Sequence, residues 1–289
     1  YENNNELVKM SVKELMELYY DHKKSQTEHA SRLKDEVNKI SRYPIGSIRL
    51  GYLNGKHVAS FRDQLLAEGL AKSTTRKYMA LLQRALDIGR KELGIPISHN
   101  PVMLVSKPRE DDSRDRILEE DEWERLLEAC DNSSVHFLKV LVLLARETMC
   151  RRSELLRITR YDINFDKGTL HLPKTKNGSP RTIGLSPRAM ELLKALPVRV
   201  DGSYFKSPFK SMDNLGNLIS KAFSRAVKKA GIKNFRLHDV RHMSASDRAM
   251  QGWTVSELSA QGGWKSLSQL KRYTQIKGEH LAQKMRGEA

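Results

Sequence analysis

Near the C-terminal end of this chain, His238 and Arg241 stand three residues apart within His238-Asp239-Val240-Arg241-His242. On a helix that spacing puts both on one face, one turn apart. A proton carrier beside a fixed guanidinium fork suits a phosphate diester. Farther along come Gly262-Gly263 with Trp264 after them, and Tyr273 lies nine residues beyond the indole. A phenol close to a phosphate grip is a candidate nucleophile. Two more cations lie upstream. Arg151 opens Arg151-Arg152-Ser153-Glu154-Leu155, and Lys176 opens the tight turn Lys176-Asn177-Gly178. Taken singly, each has a plainer reading. An arginine in Arg-Arg-Ser-Glu is commonly a surface ion-pairing residue, and turns are commonly basic. A His–Arg pair on one face can be structural, and a helical tyrosine is commonly core or rim.

Other routes to phosphate chemistry are missing from the sequence. It holds no Walker motif and no GxGxxG, no Asp/Glu cluster of the two-metal kind, and no zinc-type His/Cys spacing. The expectation is chemistry by side-chain cations alone, with no metal and no cofactor. The composition names the partner. The 289 residues carry a formal net charge of +16, with basic residues spread along the chain. A folded protein of that charge is expected to bind nucleic acid, a merely basic or ribosome-associated enzyme being the alternative. At 39% hydrophobic and 30% charged, the chain reads as soluble and globular, long enough for two domains. The longest apolar run, Phe137 to Ala145, is interrupted by Lys139 and too short to cross a membrane. No secretory signal opens the chain, so a cytoplasmic location is expected, and the two cysteines, Cys130 and Cys150, are expected to stay reduced. The first residue is Tyr1 rather than Met, as in a piece of a longer protein.

The elements that must position these groups follow from periodicity. Ser11 to Glu14 reads as a capping box opening a helix that runs through Tyr19. Further helices are expected over about 28–41, 56–68 and 73–93. These make residues 1–106 an all-helical domain. Its fourth helix opens on Lys72-Ser73-Thr74-Thr75-Arg76-Lys77. Free backbone N–H groups beside Lys72, Ser73, Thr74, Arg76 and Lys77 suit a DNA phosphate, a solvated basic start being the other reading. Residues 107–116 are almost all charge and read as a linker. In the second domain, 117–276, helices are expected over about 119–130, 186–196, 214–230, 238–250, 254–261 and 266–273. Another, over 135–148, is apolar on most sides and should be a buried central helix. Strands are expected over 169–173 and 181–185, on either side of the Lys176 turn. The expected fold class is mainly α with a small antiparallel β-sheet in the second domain.

In this order and spacing, Arg-x-Ser-Glu-Leu at Arg151, Lys-Asn-Gly at Lys176, His-x-x-Arg-His at His238, Gly-Trp at Gly263 and the tyrosine at 273 resemble the tyrosine recombinase (phage integrase) family. The resemblance covers residues of about 115–280. The helical first domain is similar in length and layout to that family's core-binding domain. Such a match implies a two-domain, C-shaped clamp on duplex DNA and a site-specific recombinase. DNA would be cut and rejoined through a 3′-phosphotyrosyl intermediate, exchanging strands between two sites by integration, excision or inversion.

The resemblance also implies roles. Tyr273 would be the nucleophile. Arg151 and Arg241 would grip the non-bridging oxygens, each charge-assisted contact contributing roughly 1.5–3 kcal/mol. Lys176 would protonate the leaving 5′-oxygen, and His238 would assist the tyrosine's proton loss or hold the phosphate. Glu154 would orient its neighbours, and His242 would be structural. Arg152 and Arg181 would make DNA-backbone or ion-pair contacts. Most members carry histidine where Trp264 stands. An indole N–H donates to a phosphate oxygen but cannot accept a proton, so this Trp-containing variant leaves proton transfer to His238 and Lys176. The implied partners are double-stranded DNA sites with inverted-repeat binding elements, three further copies in a tetrameric synapse, and accessory DNA-bending proteins. In the tail, 277–289, residues 277–286 are the candidate helix for packing into a neighbouring protomer, a frayed tail being the plainer reading. A type IB topoisomerase and a non-catalytic DNA-binding protein that retains the fold are the rival functions.

Overall fold

Ser11 and Glu14 exchange hydrogen bonds across the first turn of α1 (Val12–Lys23), closing the capping box that the sequence announces. The computed structural model describes residues 9–109, 116–173, 180–205, 212–264, 266, 270 and 285–286. Its chain divides into two units, Tyr1–Ser113 and Arg114–Ala289.

In the first unit α1 is followed by α2 (Ala30–Ser41), α3 (Gly55–Ala67) and α4 (Lys72–Lys91), with short 3-10 turns between and after them. Among the described residues this unit has no strand, only an isolated bridge between Ser11 and Arg49. The apolar faces converge on one core, which includes Leu15, Met16, Ile40, Phe61, Leu65 and Leu82.

Among the described residues the second unit holds α5 (Glu120–Asp131), α6 (Leu138–Thr148), the single turn α7 (Arg152–Leu155), three strands, and then α8 (Pro187–Ala195), α9 (Met212–Lys229), α10 (Leu237–Met250) and α11 (Val255–Gly262). The strands β1 (Ile163–Asn164), β2 (Thr169–Leu172) and β3 (Arg181–Gly184) form an antiparallel sheet in that order. Leu170 pairs with Ile183, and Leu172 with Arg181. Leu170, Leu172 and Ile183 face the core, while His171 and Thr182 face out. That alternation is the one the sequence shows. β1 is an addition, since two residues are too few for a period to register. The turn at Lys176 lies outside the described residues.

α6 is the buried central helix, with Leu138, Leu141, Val142 and Ala145 inside. It packs against α5, α8, α9 and α10. The segment from Val135 to Phe137 enters it as a turn rather than as helix. Polar contacts fix its register against α10. Ser244 donates to the Arg146 carbonyl, the Arg146 guanidinium pairs with Asp247 at 3.3 Å, and Arg248 donates to the Glu147 carbonyl at 2.8 Å. The Glu147 carboxylate also accepts from Ser186 at 2.6 Å. α6 stops at Met149, whose φ of 55° is left-handed, an uncommon conformation for a side-chain-bearing residue. The chain thereby turns sharply just before Arg151. Met149 is buried with Ala245, Leu258, Trp264 and Leu270 in a small apolar cluster of its own.

Cys130 and Cys150 are both buried and unbridged. Among the described residues no helix is long and apolar enough to cross a membrane. Truncating the centre of α6, Leu141→Ala, is expected to cost about 2–5 kcal/mol in urea unfolding. Leu104→Ala, at a side chain 71% exposed, should stay within about 0.5 kcal/mol.

Candidate active site

Glu154 sits almost wholly buried at the end of the single turn α7, and two arginines close on it. Arg151, the residue that caps that turn, donates from its backbone N–H at 2.8 Å and from its guanidinium at 2.8 Å. Arg181, from β3, lays both terminal nitrogens on the carboxylate at 2.9 Å each. Four donors therefore hold one carboxylate. Burial pushes the Glu154 carboxyl up, but the Arg181 fork and the Arg151 backbone N–H outweigh it and hold it down at about 2.

The other terminal nitrogen of Arg151 donates to the Gly263 carbonyl at 3.0 Å. Gly263 is constrained twice. Its φ is +71°, and a Cβ there would lie 2.8 Å from the Arg181 guanidinium carbon. At Gly262 a Cβ would fall 1.9 Å from the Trp264 ring. The paired glycines thus let the end of α11 press against both the arginine cluster and the indole.

Arg241 arrives from α10 and is 2% exposed. Its Nη1 donates to the Met149 carbonyl at 2.5 Å, and its guanidinium lies over the Trp264 ring, 4.0 Å from the centroid. Burial, and then the like charge of Arg151, lower Arg241 to about 10, so it stays cationic at neutral pH. The Nε atoms of Arg181 and Arg241 are buried and have no hydrogen-bond partner among the described residues. Cys150, immediately before Arg151, is 1% exposed, and burial raises its thiol to about 11. It is therefore neutral near pH 7 and unsuited to act as a thiolate nucleophile.

The structure thus brings together Arg151, Glu154, Arg241 and Trp264. It adds Arg181, which the sequence reading places on the DNA backbone or in an ion pair and which here has its fork on Glu154. His238 is exposed and His242 half-buried on α10, with ring centroids 4.8 Å apart in an edge-to-face arrangement. Lys176 and Tyr273 lie outside the described residues. Arg152 points elsewhere, donating to the Gly216 carbonyl at 2.8 Å and to Ser220. In the first unit, Lys72 and Ser73 are exposed at the start of α4, and Thr74 is half-buried. Arg76 donates to the Pro108 carbonyl at 3.1 Å, and Lys77 pairs with Glu36. Among the described residues no group of three His, Cys, Asp or Glu side chains converges as a metal site.

Sequence reasoning passed over Met149 and Gln261. Met149 supplies a carbonyl to Arg241 from a left-handed backbone, which no side-chain pattern signals. Gln261 is buried and bonded to β3. Its one visible signal is a carboxamide directly before the paired glycines.

The phage integrase family model matches residues 116–280, more than half of the chain. The chain belongs to the phage integrase family. Among the family's relatives, a shufflon-specific DNA recombinase of Escherichia coli is 32% identical over 289 residues, covering 96% of this chain and 72% of that protein. The Tn1549 transposon integrase, solved with circular intermediate DNA, superposes with a TM-score of 0.73 at 16% identity, over 96% of this chain and 99% of that one. A lambda integrase tetramer bound to a Holliday junction gives 0.67 at 20% identity, over 89% and 78%. At those identities the two solved structures establish a shared fold.

Glu154 carries the electrostatic prediction. Its folded pKa lies below the ordinary 4.5, so its contribution to stability is complete above about pH 4.5 and is lost as the pH falls towards 2. Glu154→Gln leaves buried guanidiniums without their counter-charge. Urea unfolding at pH 7 is expected to show a loss of about 3–5 kcal/mol, and the variant should also lack the wild-type slope between pH 4.5 and 2.

Proposed function

We propose that this recombinase breaks one DNA strand by attack of the Tyr273 phenol oxygen on the scissile phosphorus. The bond to the 5′-oxygen breaks, leaving a 3′-phosphotyrosyl link and a 5′-hydroxyl. Lys176 supplies the proton to the leaving oxygen, and His238 takes the phenol's proton or holds the phosphate. Arg151 and Arg241 take the non-bridging oxygens, whose charge grows in the pentacoordinate transition state. Trp264 holds Arg241 in place and can donate its indole N–H. The 5′-hydroxyl of a second duplex then attacks the phosphotyrosine and reverses these steps, so the bond energy is kept throughout.

One observation carries this reading. Three guanidiniums from three separate elements converge around a single buried carboxylate, with an indole stacked on one of them. Such a cluster has an excess of fixed positive charge in a partly dry setting, which is what a phosphodiester in its transition state requires. Arg181 acts within it through Glu154. Lys72, Ser73, Thr74, Arg76 and Lys77 are assigned to the DNA backbone, with the two units gripping the duplex as a clamp and the net charge of +16 supporting that partner. Exchange between two duplexes calls for four protomers, and the fold shared with the lambda integrase tetramer on a Holliday junction supports that assembly. Of residues 277–286, the proposed link between protomers, 277–284 lie outside the described residues. The setting assigned is cytoplasmic, with accessory DNA-bending proteins as further partners.

The test is covalent capture on nicked duplexes built from inverted repeats beside the coding sequence. Wild type should form an adduct that survives denaturant. Tyr273→Phe should form none while binding the same DNA with nearly unchanged affinity. An adduct with the Phe variant would remove Tyr273 from the mechanism.

A further inference from the structure

Gln261 closes α11 with a side chain that behaves as a piece of strand. Its Oε1 accepts from the Gly184 N–H at 3.0 Å, and its Nε2 donates to the Gly184 carbonyl at 2.8 Å. The same Nε2 lies 3.3 Å from the Thr148 carbonyl. One carboxamide thus satisfies both backbone groups of the last residue of β3 and reaches the last residue of α6.

Each of those three places adjoins a part of the site. β3 begins with Arg181, and the segment joining it to β2 in sequence contains Lys176. Thr148 is followed by Met149, whose carbonyl holds Arg241, and then by Cys150 and Arg151. Gln261 itself is followed by Gly262, by Gly263, whose carbonyl holds Arg151, and by Trp264. The side chain is 9% exposed, so water does not readily substitute for its bonds.

We propose that Gln261 is a positioning residue for strand cleavage, setting the register of the β2–β3 pair, the Arg151 turn and the Gly263–Trp264 turn against one another. A carboxamide is the group this requires. It must donate to carbonyls and accept from an N–H at once, which neither a carboxylate nor an apolar side chain of the same length can do. The inference rests on the recombinase mechanism above, since it acts through Arg151, Trp264 and the strands flanking Lys176.

Charged and titratable groups on the surrounding elements are Lys139, Arg146 and Glu147 on α6, Arg151, Arg152 and Glu154 at α7, His171 on β2, Arg181 on β3, His238, Asp239, Arg241, His242, Asp247 and Arg248 on α10, and Glu257 on α11. Cys150 lies between α6 and α7. None of them hydrogen-bonds the Gln261 amide among the described residues.

The experiment compares wild type, Gln261→Met and Gln261→Glu in DNA binding by gel shift and in the rate of covalent adduct formation at saturating nicked duplex. Gln261→Met should bind DNA within about threefold of wild type and form adduct about tenfold to a hundredfold more slowly, the scale expected for misplaced catalytic groups. Gln261→Glu should be equally slow near pH 8, where a carboxylate opposes two carbonyl oxygens. Its rate relative to wild type should recover as the pH falls to about 5.5, because the protonated acid regains a donor and its burial raises the pKa above the roughly 4.3 of free glutamate. Three results would overturn the inference: adduct formation by Gln261→Met within threefold of wild type, a Gln261→Glu deficit that does not change with pH, or parallel loss of DNA binding and folded circular dichroism in both variants. Absence of adduct with wild type would instead strike the recombinase mechanism itself.

Discussion

Guanidinium groups repel one another, and a fold that gathers three of them must offset that repulsion before any ligand arrives. Two unit charges about 4 Å apart near a protein surface interact by on the order of 4 kcal/mol, a large part of the roughly 5–15 kcal/mol that holds a domain together. Here Glu154 supplies the offset. It takes the fork of Arg181, and one terminal nitrogen and the backbone N–H of Arg151, on one buried carboxylate and is held ionised down to about pH 2. Arg241, without a share in that carboxylate among the described residues, is steadied by the Met149 carbonyl and the Trp264 ring. The compensation is partial. The cluster is stable enough to persist and still keeps a surplus of positive charge.

The remaining architecture serves that compromise. α6 and α10 are bound by reciprocal contacts among Arg146, Glu147, Ser244, Asp247 and Arg248, which places Arg151 and Arg241 near each other although ninety residues separate them in sequence. The left-handed Met149 turns the chain between the helix and the first arginine. Gly262 and Gly263 let α11 approach closely enough for one carbonyl to hold Arg151 and one ring to cover Arg241. A larger residue at either glycine would push these contacts apart, so the small residues are as much part of the site as the charged ones.

Much of this was legible in the sequence. Helical periods and glycine stops located the described helices to within a few residues, because each buries one apolar face in a local pattern, while the helix expected over 266–273 falls mostly outside the described residues. Arg151, Glu154, Arg241 and Trp264, picked out in the sequence by residue type and spacing, are side chains that the fold gathers in one place. Arg181 was harder to place. Strand alternation puts it on the inward face with Ile183, at the end of β3, and nothing local shows that α7 brings a buried carboxylate there to receive it. β1 was too short to announce itself. Met149 and Gln261 contribute backbone geometry and a strand-like amide, which depend on where distant segments meet and leave no period behind. Sequence reading is strongest where function dictates the side chain and weakest where the backbone does the holding.

The central claim is that these arginines neutralise the charge of a reacting phosphate. It is tested most directly by replacing the scissile phosphate of the nicked duplex with an uncharged methylphosphonate and measuring adduct formation by wild type and Arg241→Ala. The account predicts that Arg241→Ala fails on the phosphodiester and regains cleavage on the methylphosphonate, where no second oxygen charge needs a partner. An equal deficit on both substrates would contradict it, since Arg241 would then be holding the fold rather than the phosphate.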